Sequence, residues 1–414
     1  MAASLTVPAP AKGAWLERWL ATAPASSGEL ALVQQRGREA LRQQPIPSSR
    51  SEDWRFTDLS LLQTLPLTAA AAAPVVLPEA ASGALRLIWN GIADPLAEQA
   101  LPAGLQRLSA DEVAQGLGHT LAAAGCEQHW PVEFNHAAAE RVLALRVTSR
   151  SQVNLELVSA ASEGLQALRL LLLLEEKAEL ELSQWIEAQG SGLHSLVIEA
   201  HLARGARLTH GLVALGRADA ALLAHVALEQ EPESEAHLST VSAGWGLARL
   251  EPRAVQVDGS ARTTLRGLQL VDGQRIADTH SYVEFKGPEG ELDQLHKAVA
   301  AGQGRSVFNG AVRVPRAAQR TNAAQLSRNL LLSDRARIDT KPELEIVADD
   351  VKCAHGATVS SLQTDELFYL QSRGIAADQA AALLQRAFCE EVLRELPAAA
   401  RRWCSLERLL EVAA

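Results

Sequence analysis

The chain has 414 residues, 47% of them hydrophobic and 21% charged, with a formal net charge of −10. That length supplies one large core or two to three smaller units, and the acidic balance disfavours a general nucleic-acid binder, whose surface is normally basic. Only six of the basic residues are Lys, which leaves room for a local arginine patch and no more.

The apolar runs Leu170–Leu174 and Ala69–Leu77, the latter broken by Pro74, fall short of the roughly 20 residues of a spanning helix. No apolar stretch follows Lys12 to make a secretory signal. Cysteines at 126, 353, 389 and 404 show no CxxC spacing and suggest no disulfide framework. A soluble protein of the reducing cytoplasm is expected, or of an organellar stroma if a transit peptide is present.

In chain order, residues 1–45 read as helical. Trp15, Leu16, Trp19 and Leu20 recur at helical spacing, and Leu30, Val33 and Leu41 continue the pattern up to Pro45 and Pro47. The segment Ser48–Leu62 is polar with two aromatics, and the alanine run Ala69–Ala73, closed by Pro74, predicts a loop. Residues 109–124 predict one short helix, with Ser109 as N-cap and Glu112 three residues on.

From about residue 140 the period changes to two. Val142, Ala144 and Arg146 alternate against Leu143, Leu145 and Val147; Val153, Leu155 and Leu157 follow, then Leu168, Leu170, Leu172 and Leu174, then Leu180 and Leu182. This is strand grammar, and it persists to about residue 360 with no helical period between strands, which argues against a βαβ sheet. A loose repeat places Ala178, Ala206, Ala236 and Ala261 at strand starts, 28, 30 and 25 residues apart, with later echoes at Ala336 and Ala357. Units of this size hold two short strands and their turns, and a coil that stacks on its neighbours buries what it cannot bury alone. The expected fold is mainly β: a β-helix of about two strands per coil, with a β-sandwich as the alternative. The expected organisation is a helical and mixed region over 1–135, a β-helix core over 136–362 and a helical region over 363–414. In the last, Thr364 and Asp365 start a helix and Ser372-Arg373-Gly374 make a turn. Ala380, Leu383, Leu384, Ala387, Phe388, Val392 and Leu396 form one apolar stripe before Pro397. Such a stripe packs on the protein's own core or docks a partner; Leu383, Leu384 and Phe388 are the candidate partner contacts.

Several enzyme signatures are missing. No Lys directly follows a Gly, so there is no phosphate-cradling GxxxxGK[ST] loop, and GxGxxG, HExxH and GxSxG are also absent. One cluster stands out: Asp349-Asp350-Val351-Lys352-Cys353-Ala354-His355-Gly356. On a strand, Cys353 and His355 point to the same face with Cα atoms roughly 6.5–7 Å apart, where thiolate and imidazole can share a soft metal. Lys352 and His355 are placed to lower the thiol pKa. By itself CxH is a weak motif, since a lone Cys is more often a small buried hydrophobe. Residues 127–352 contain no other cysteine, so an iron–sulfur cluster bound here needs most of its ligands from another chain or from non-cysteine groups.

The segment from Gly302 to Leu362 closely resembles the SufB/SufD family of iron–sulfur cluster assembly proteins. The resemblance is carried by GRSVFNGAVRV (304–314), AQRTNAAQ (318–325), NLLLSDRARIDTKPELEI (329–346) and DDVKCAHGATVSSL (349–362). LFYLQSRGI (367–375) is similar to the family's C-terminal region, and EDWRFTDLS (52–60) to its N-terminal motif. Within the family the chain is most like SufD: it has the CAHGAT form, and Ser327 stands where SufB members typically carry a cysteine. Phe285 stands near where relatives often carry a histidine.

The resemblance implies a right-handed parallel β-helix between helical ends. It implies a non-catalytic subunit in complex with a SufB-like chain and a SufC-like ATPase, and a transient iron–sulfur cluster shared with the partner at Cys353 and His355. Nothing in the residues decides for or against a flavin, and a homodimer in the partners' absence stays open. On the residues alone two other functions also stand: a β-helical acyltransferase or carbohydrate-active enzyme with His355 as general base, and a structural binding module with an inert CxH pair. The regular hexads of acyltransferase β-helices are not sustained here.

Overall fold

The computed structural model describes residues 14–23, 25, 26 and 28–413; the expected helical stretch before Ala14 lies outside them. The period-two region forms a β-solenoid of about 8 turns with helices at both ends of the chain. Each turn contributes one strand to each of two nine-stranded sheets.

In the first sheet, β2 (Leu105–Arg107) pairs antiparallel to β3 (Leu143–Val147). There follow in parallel β5 (Gly164–Leu174), β7 (Gly192–Leu202), β9 (Ala221–Gln230) and β11 (Leu247–Gln256), then β13 (Ile276–Phe285), β15 (Arg305–Val314) and β17 (Arg337–Ile346). The second sheet begins with β1 (Leu85–Ile88), β4 (Gln152–Ala161), β6 (Glu179–Ala188), β8 (Arg207–Leu215) and β10 (Glu235–Ala243). It ends with β12 (Arg262–Val271), β14 (Glu291–Ala300), β16 (Asn322–Leu331) and β18 (Lys352–Ser361).

Central strands such as β5 and β9 read as near-continuous apolar runs because both their faces are covered, whereas β16 and β18 keep exposed outward positions. Inward side chains such as Leu155, Leu182, Leu196 and Leu222 fill the lumen between the sheets. The outer face of the first sheet packs under the N-terminal segments. Trp15, Leu41, Trp54, Trp130 and Phe134, from α1 (Ala14–Thr22), α2 (Ala31–Gln43), the EDW turn and α5 (Trp130–Ala138), cover Leu193, Leu223 and Leu247. The outer face of the second sheet packs under the C-terminal helices α7 (Ala377–Leu393), α8 (Ala398–Trp403) and α9 (Leu406–Ala413), while α6 (Thr364–Ser372) packs on α7 and buries no residue. There Val392, Leu396, Trp403 and Leu409 lie on Trp185, Val213, Val241 and Leu268. The approach is close: a Cβ on Gly211 of β8 would meet the Pro397 Cδ at 2.3 Å.

One corner of the solenoid repeats. Arg150, Lys177, Glu233, Ser260, Glu289 and Arg320 all have positive φ, as does Gly205, each two residues before a strand of the second sheet. A left-handed conformation costs a non-glycine residue roughly 1–2 kcal/mol. Here each such residue donates its N–H to a carbonyl of the next coil, as Lys177 does to Arg204 and Glu233 to Ser260.

Three expectations are corrected. The repeat is real over four coils, but its third aligned position is Ser234, not Ala236: the N–H groups of Arg207, Glu235, Arg262 and Glu291 donate in turn to the carbonyls of Ala178, Ala206, Ser234 and Ala261, while Ala336 precedes a strand of the other sheet and Ala357 lies inside β18. The hydrogen-bond ladder, not residue identity, sets the register. The helix expected over 109–124 is two, α3 (Ala110–Gly116) and α4 (His119–Ala123), because Gly118 turns left-handed at φ 83°. Of the expected apolar stripe, Ala380, Val392 and Leu396 are buried and Leu384 and Phe388 half-buried, while Ala387 is exposed and Leu383 is 47% exposed.

Ser109 does cap α3. Its hydroxyl accepts from the Glu112 N–H, and the Glu112 carboxylate accepts from the Ser109 N–H in return. Ser109→Ala is expected to cost about 1 kcal/mol, read as a lower denaturant midpoint with an unchanged slope.

Candidate functional site

Cys353 and His355 lie on β18, the last strand of the second sheet, and β17 is the last strand of the first. Both strands are ten residues long and have an edge that pairs with no other strand among the described residues. The solenoid therefore ends in an open coil. Cys353 and His355 register against Ala323 and Gln325 of β16, both buried in the lumen, so both side chains line the inner face of the terminal coil, as the i, i+2 spacing requires. Cys353 is half-buried against the lumen core and His355 is exposed at its mouth.

Behind them the lumen changes character. The N-terminal coils are filled with leucine; the last coils carry Gln294, His296, Gln325, Ser327 and Asn329, all buried. Gln325 Nε2 donates to Gln294 Oε1 at 2.9 Å, and Gln294 Nε2 donates to the Ser281 hydroxyl at 2.7 Å. Thr340 and Asn329 both reach the Ser327 hydroxyl, at 3.0 and 2.9 Å. His296 stacks on Phe308 with ring centroids 4.4 Å apart, and burial pushes its pKa down to about 3, so it stays neutral. Phe285 is fully buried among the apolar lumen residues.

The expectation that neighbours activate the thiol is corrected. Burial raises the Cys353 pKa above that of an ordinary thiol, and a backbone hydrogen bond from Ala323 only partly offsets it. The Lys352 side chain, adjacent on a strand, points to the opposite face. The surroundings of Cys353 therefore favour the thiol over the thiolate.

The parallel ladder also decides which backbone groups are free. Lys352 donates its N–H to the Thr321 carbonyl, so by alternation the N–H groups of Cys353, His355, Ala357, Val359 and Ser361 point to the open edge. On β17, Arg337 and Val347 donate inward to Gly304 and Val314, so the even-numbered residues face outward, and one of these is Pro342. Proline on an edge blunts it. The β17 edge is interrupted at its centre and the β18 edge is not. Apolar side chains are exposed at the same end: Ile346, Val347 and Val359 at 41%, 50% and 45%.

Leu383, Leu384 and Phe388 sit elsewhere, on α7. Phe388 is half-buried, its carbonyl accepting from Lys297 Nζ at 2.7 Å and its ring 4.3 Å from that ammonium. Leu384 is half-buried and Leu383 exposed; on the neighbouring helix α6, Phe368 and Tyr369 are 70% and 59% exposed.

A further cluster was not legible in the sequence. His225 on β9 and Glu251 on β11 are direct cross-strand partners on the outer face of the first sheet, and His129, the N-cap of α5, closes over them. Glu251 Oε2 lies 3.0 Å from His225 Nε2 and 3.2 Å from His129 Nδ1. The other Glu251 oxygen accepts from Arg249 Nε at 2.7 Å, and Arg249 in turn reaches Asp278 at 2.8 Å. Arg249 lies under the Trp54 ring at 3.8 Å and donates to the Asp53 carbonyl, so the EDWRFTDLS segment is the lid of this network. Its only sequence signal was that segment; the three side chains come from 129, 225 and 251 and share no local spacing.

Known proteins match this chain over most of its length. The family model described as SUF system FeS cluster assembly, SufBD core domain, matches residues 157–388, more than half of the chain. An iron–sulfur cluster assembly SufBD family protein of Synechocystis is 32% identical over 395 residues, covering 86% of this chain and 84% of that protein. Protein ABCI7, chloroplastic, of Arabidopsis thaliana is 30% identical over 412 residues, covering 92% and 86%. The iron–sulfur cluster assembly protein SufD of Escherichia coli is 38% identical over 144 residues, 34% of each chain.

Proposed function

The chain belongs to the SufB/SufD family of iron–sulfur cluster assembly proteins and is SufD-like, and from that premise we propose that it is the scaffold subunit that closes its open terminal coil against a SufB-like chain. The observation that carries this reading is the end of the solenoid, where an uninterrupted ten-residue edge, exposed apolar side chains and the Cys353–His355 pair coincide. An exposed strand edge is a template for another chain's backbone. Pairing there would place Cys353 and His355 at the seam, where they contribute to a nascent cluster whose other ligands come from the partner. The cluster is cargo, held in transit. A lone thiol with a same-face imidazole is too few ligands for a cluster owned by one chain.

ATP hydrolysis is assigned to a SufC-like partner, since this chain carries no phosphate loop. Its docking surface is the α6–α7 hairpin, where Leu383 and Phe368 are exposed and Leu384 and Phe388 half-buried. The helices beyond Arg394 cover the second sheet and are part of the core, so truncation would not separate docking from folding. Leu383→Glu with Phe368→Glu is expected to weaken binding of the ATPase subunit roughly tenfold or more, the ~1.4 kcal/mol of a modest anchor, with thermal stability unchanged. Unaltered binding and ATPase stimulation would return the hairpin to a purely structural role.

The test of the whole reading is co-purification from cells carrying the neighbouring subunits, with iron and acid-labile sulfide measured on the complex. A chain that comes down alone and iron-free would count against it. The chloroplastic relative and the four free cysteines support a reducing compartment, cytoplasmic or organellar.

A further inference from the structure

We infer that His129, His225 and Glu251 form a binding site for a single divalent first-row transition-metal ion of the Fe(II) or Zn(II) type, separate from the terminal coil. Among the described residues this is the one group of three or more such side chains whose ligand atoms all lie within 4.8 Å of one another. Two imidazoles and a carboxylate are the donor set of facial Fe(II) sites and of His₂Glu zinc sites. With metal–ligand bonds of about 2.0–2.2 Å, neighbouring donors sit roughly 3–3.5 Å apart, which the 3.0 and 3.2 Å separations from Glu251 Oε2 satisfy.

Hydrogen bonding alone leaves the cluster incomplete. His225 is 1% exposed, and neither of its ring nitrogens has a hydrogen-bond partner: Nε2 is near enough to the carboxylate but out of line with it. A buried polar atom left in that state costs about 1–3 kcal/mol unless something else satisfies it. The charges point the same way. Glu251 and Asp278 are each at most 2% exposed and share Arg249, with His280 Nε2 3.1 Å from Asp278, so with neutral imidazoles the group carries one excess negative charge. Buried charge is paired or coordinates a metal. Arg249 occupies only Oε1 of Glu251, leaving Oε2 to the imidazoles.

Access is present as well. His129 is 33% exposed at its side chain and, with Glu251, lines a pocket of about 380 Å³ that His280, Tyr282 and Asn309 also border. The open coordination positions of a three-ligand site would face that pocket and its water. The cluster lies on the outer face of the first sheet, with β13, β15 and β17 stacked between it and the terminal edge, roughly 14 Å at the usual strand spacing. Cys353 and His355 lie on the inner face of the other sheet. The two sites are therefore separable by mutation.

The experiment uses the full-length chain with Cys353→Ser and His355→Ala already in place, so that the terminal coil contributes no metal. The metal-free protein is titrated anaerobically with Co(II) as the spectroscopic probe, and then with Fe(II) and Zn(II) by equilibrium dialysis. The expected result is one equivalent of each, a Co(II) d–d spectrum with nitrogen and oxygen ligation, and a rise in Tm with added metal. His129→Ala, at the rim, should weaken binding by roughly tenfold or more with the metal-free Tm unchanged. Glu251→Gln, which keeps the side-chain shape, should abolish the stoichiometric site. Absence of binding by the parent, or binding that survives both substitutions unchanged, would overturn the assignment and leave the cluster a hydrogen-bonded clamp for the N-terminal segment.

Discussion

Complexes assembled with His355→Ala are expected to lose most of their iron and sulfide while keeping their subunit ratio. The imidazole stands at the mouth of the lumen on an exposed strand, so its removal leaves no buried cavity and no buried partner unpaired. A direct ligand should cost at least the roughly tenfold that losing an outer-shell partner costs at a metal site. Cys353→Ser acts differently. The thiol is half-buried and its pKa is raised by that burial, so it must give up a proton to bind iron. Retention at this ligand should therefore weaken as pH falls, and the serine variant should flatten that dependence. Iron, acid-labile sulfide and the visible spectrum of the purified complex are the measurements. Wild-type levels in the double variant would remove Cys353 and His355 from the site.

Val359→Pro is expected to abolish association with the SufB-like partner while leaving this chain folded. The Val359 N–H points to the open edge, so proline there breaks no hydrogen bond within this chain, and the strand geometry already suits the residue before a proline. One ladder bond is worth only about 0.5–1.5 kcal/mol. The ring also blocks the approach of the incoming strand, which is why loss of pairing is expected in place of mild weakening. Thr358→Pro is the control in the other direction: its N–H faces β16, so it should lower this chain's own stability as well. Ile346→Pro on β17 should be milder, because Pro342 already interrupts that edge. Partner binding by Val359→Pro at normal affinity would exclude the β18 edge as the seam.

The wide difference between these neighbouring positions was not visible in the chain as a string. A hydrophobic period is a local property: it reports that alternate residues share a face, and it was enough to predict strands from about 140 to 360 and two strands per coil. The terminal motif was also legible, because Cys353 and His355 are two residues apart and a strand puts such residues on one side whatever surrounds it. The alanines at strand starts suggested the repeat, and Ser109 with Glu112 marked a helix start that the structure retains.

What the sequence left undecided depends on sums over distant segments. Ser234 takes the position expected for Ala236 because register is settled by a ladder of bonds to both neighbouring coils. Six non-glycine residues adopt left-handed turns because stacking coils repay a local cost that propensity alone would forbid. The α7 stripe buries Val392 and leaves Leu383 exposed, a difference set by which neighbours each position meets, which no helical period contains. The outward direction of the Val359 N–H follows from a single bond between Lys352 and Thr321. His129, His225 and Glu251 meet only because two coils place His225 beside Glu251 and a helix start lands on top of them. Local pattern determined the strands, the motif and the family; long-range register and packing decided which edge is open, which form of the thiol its surroundings favour and where three ligands converge.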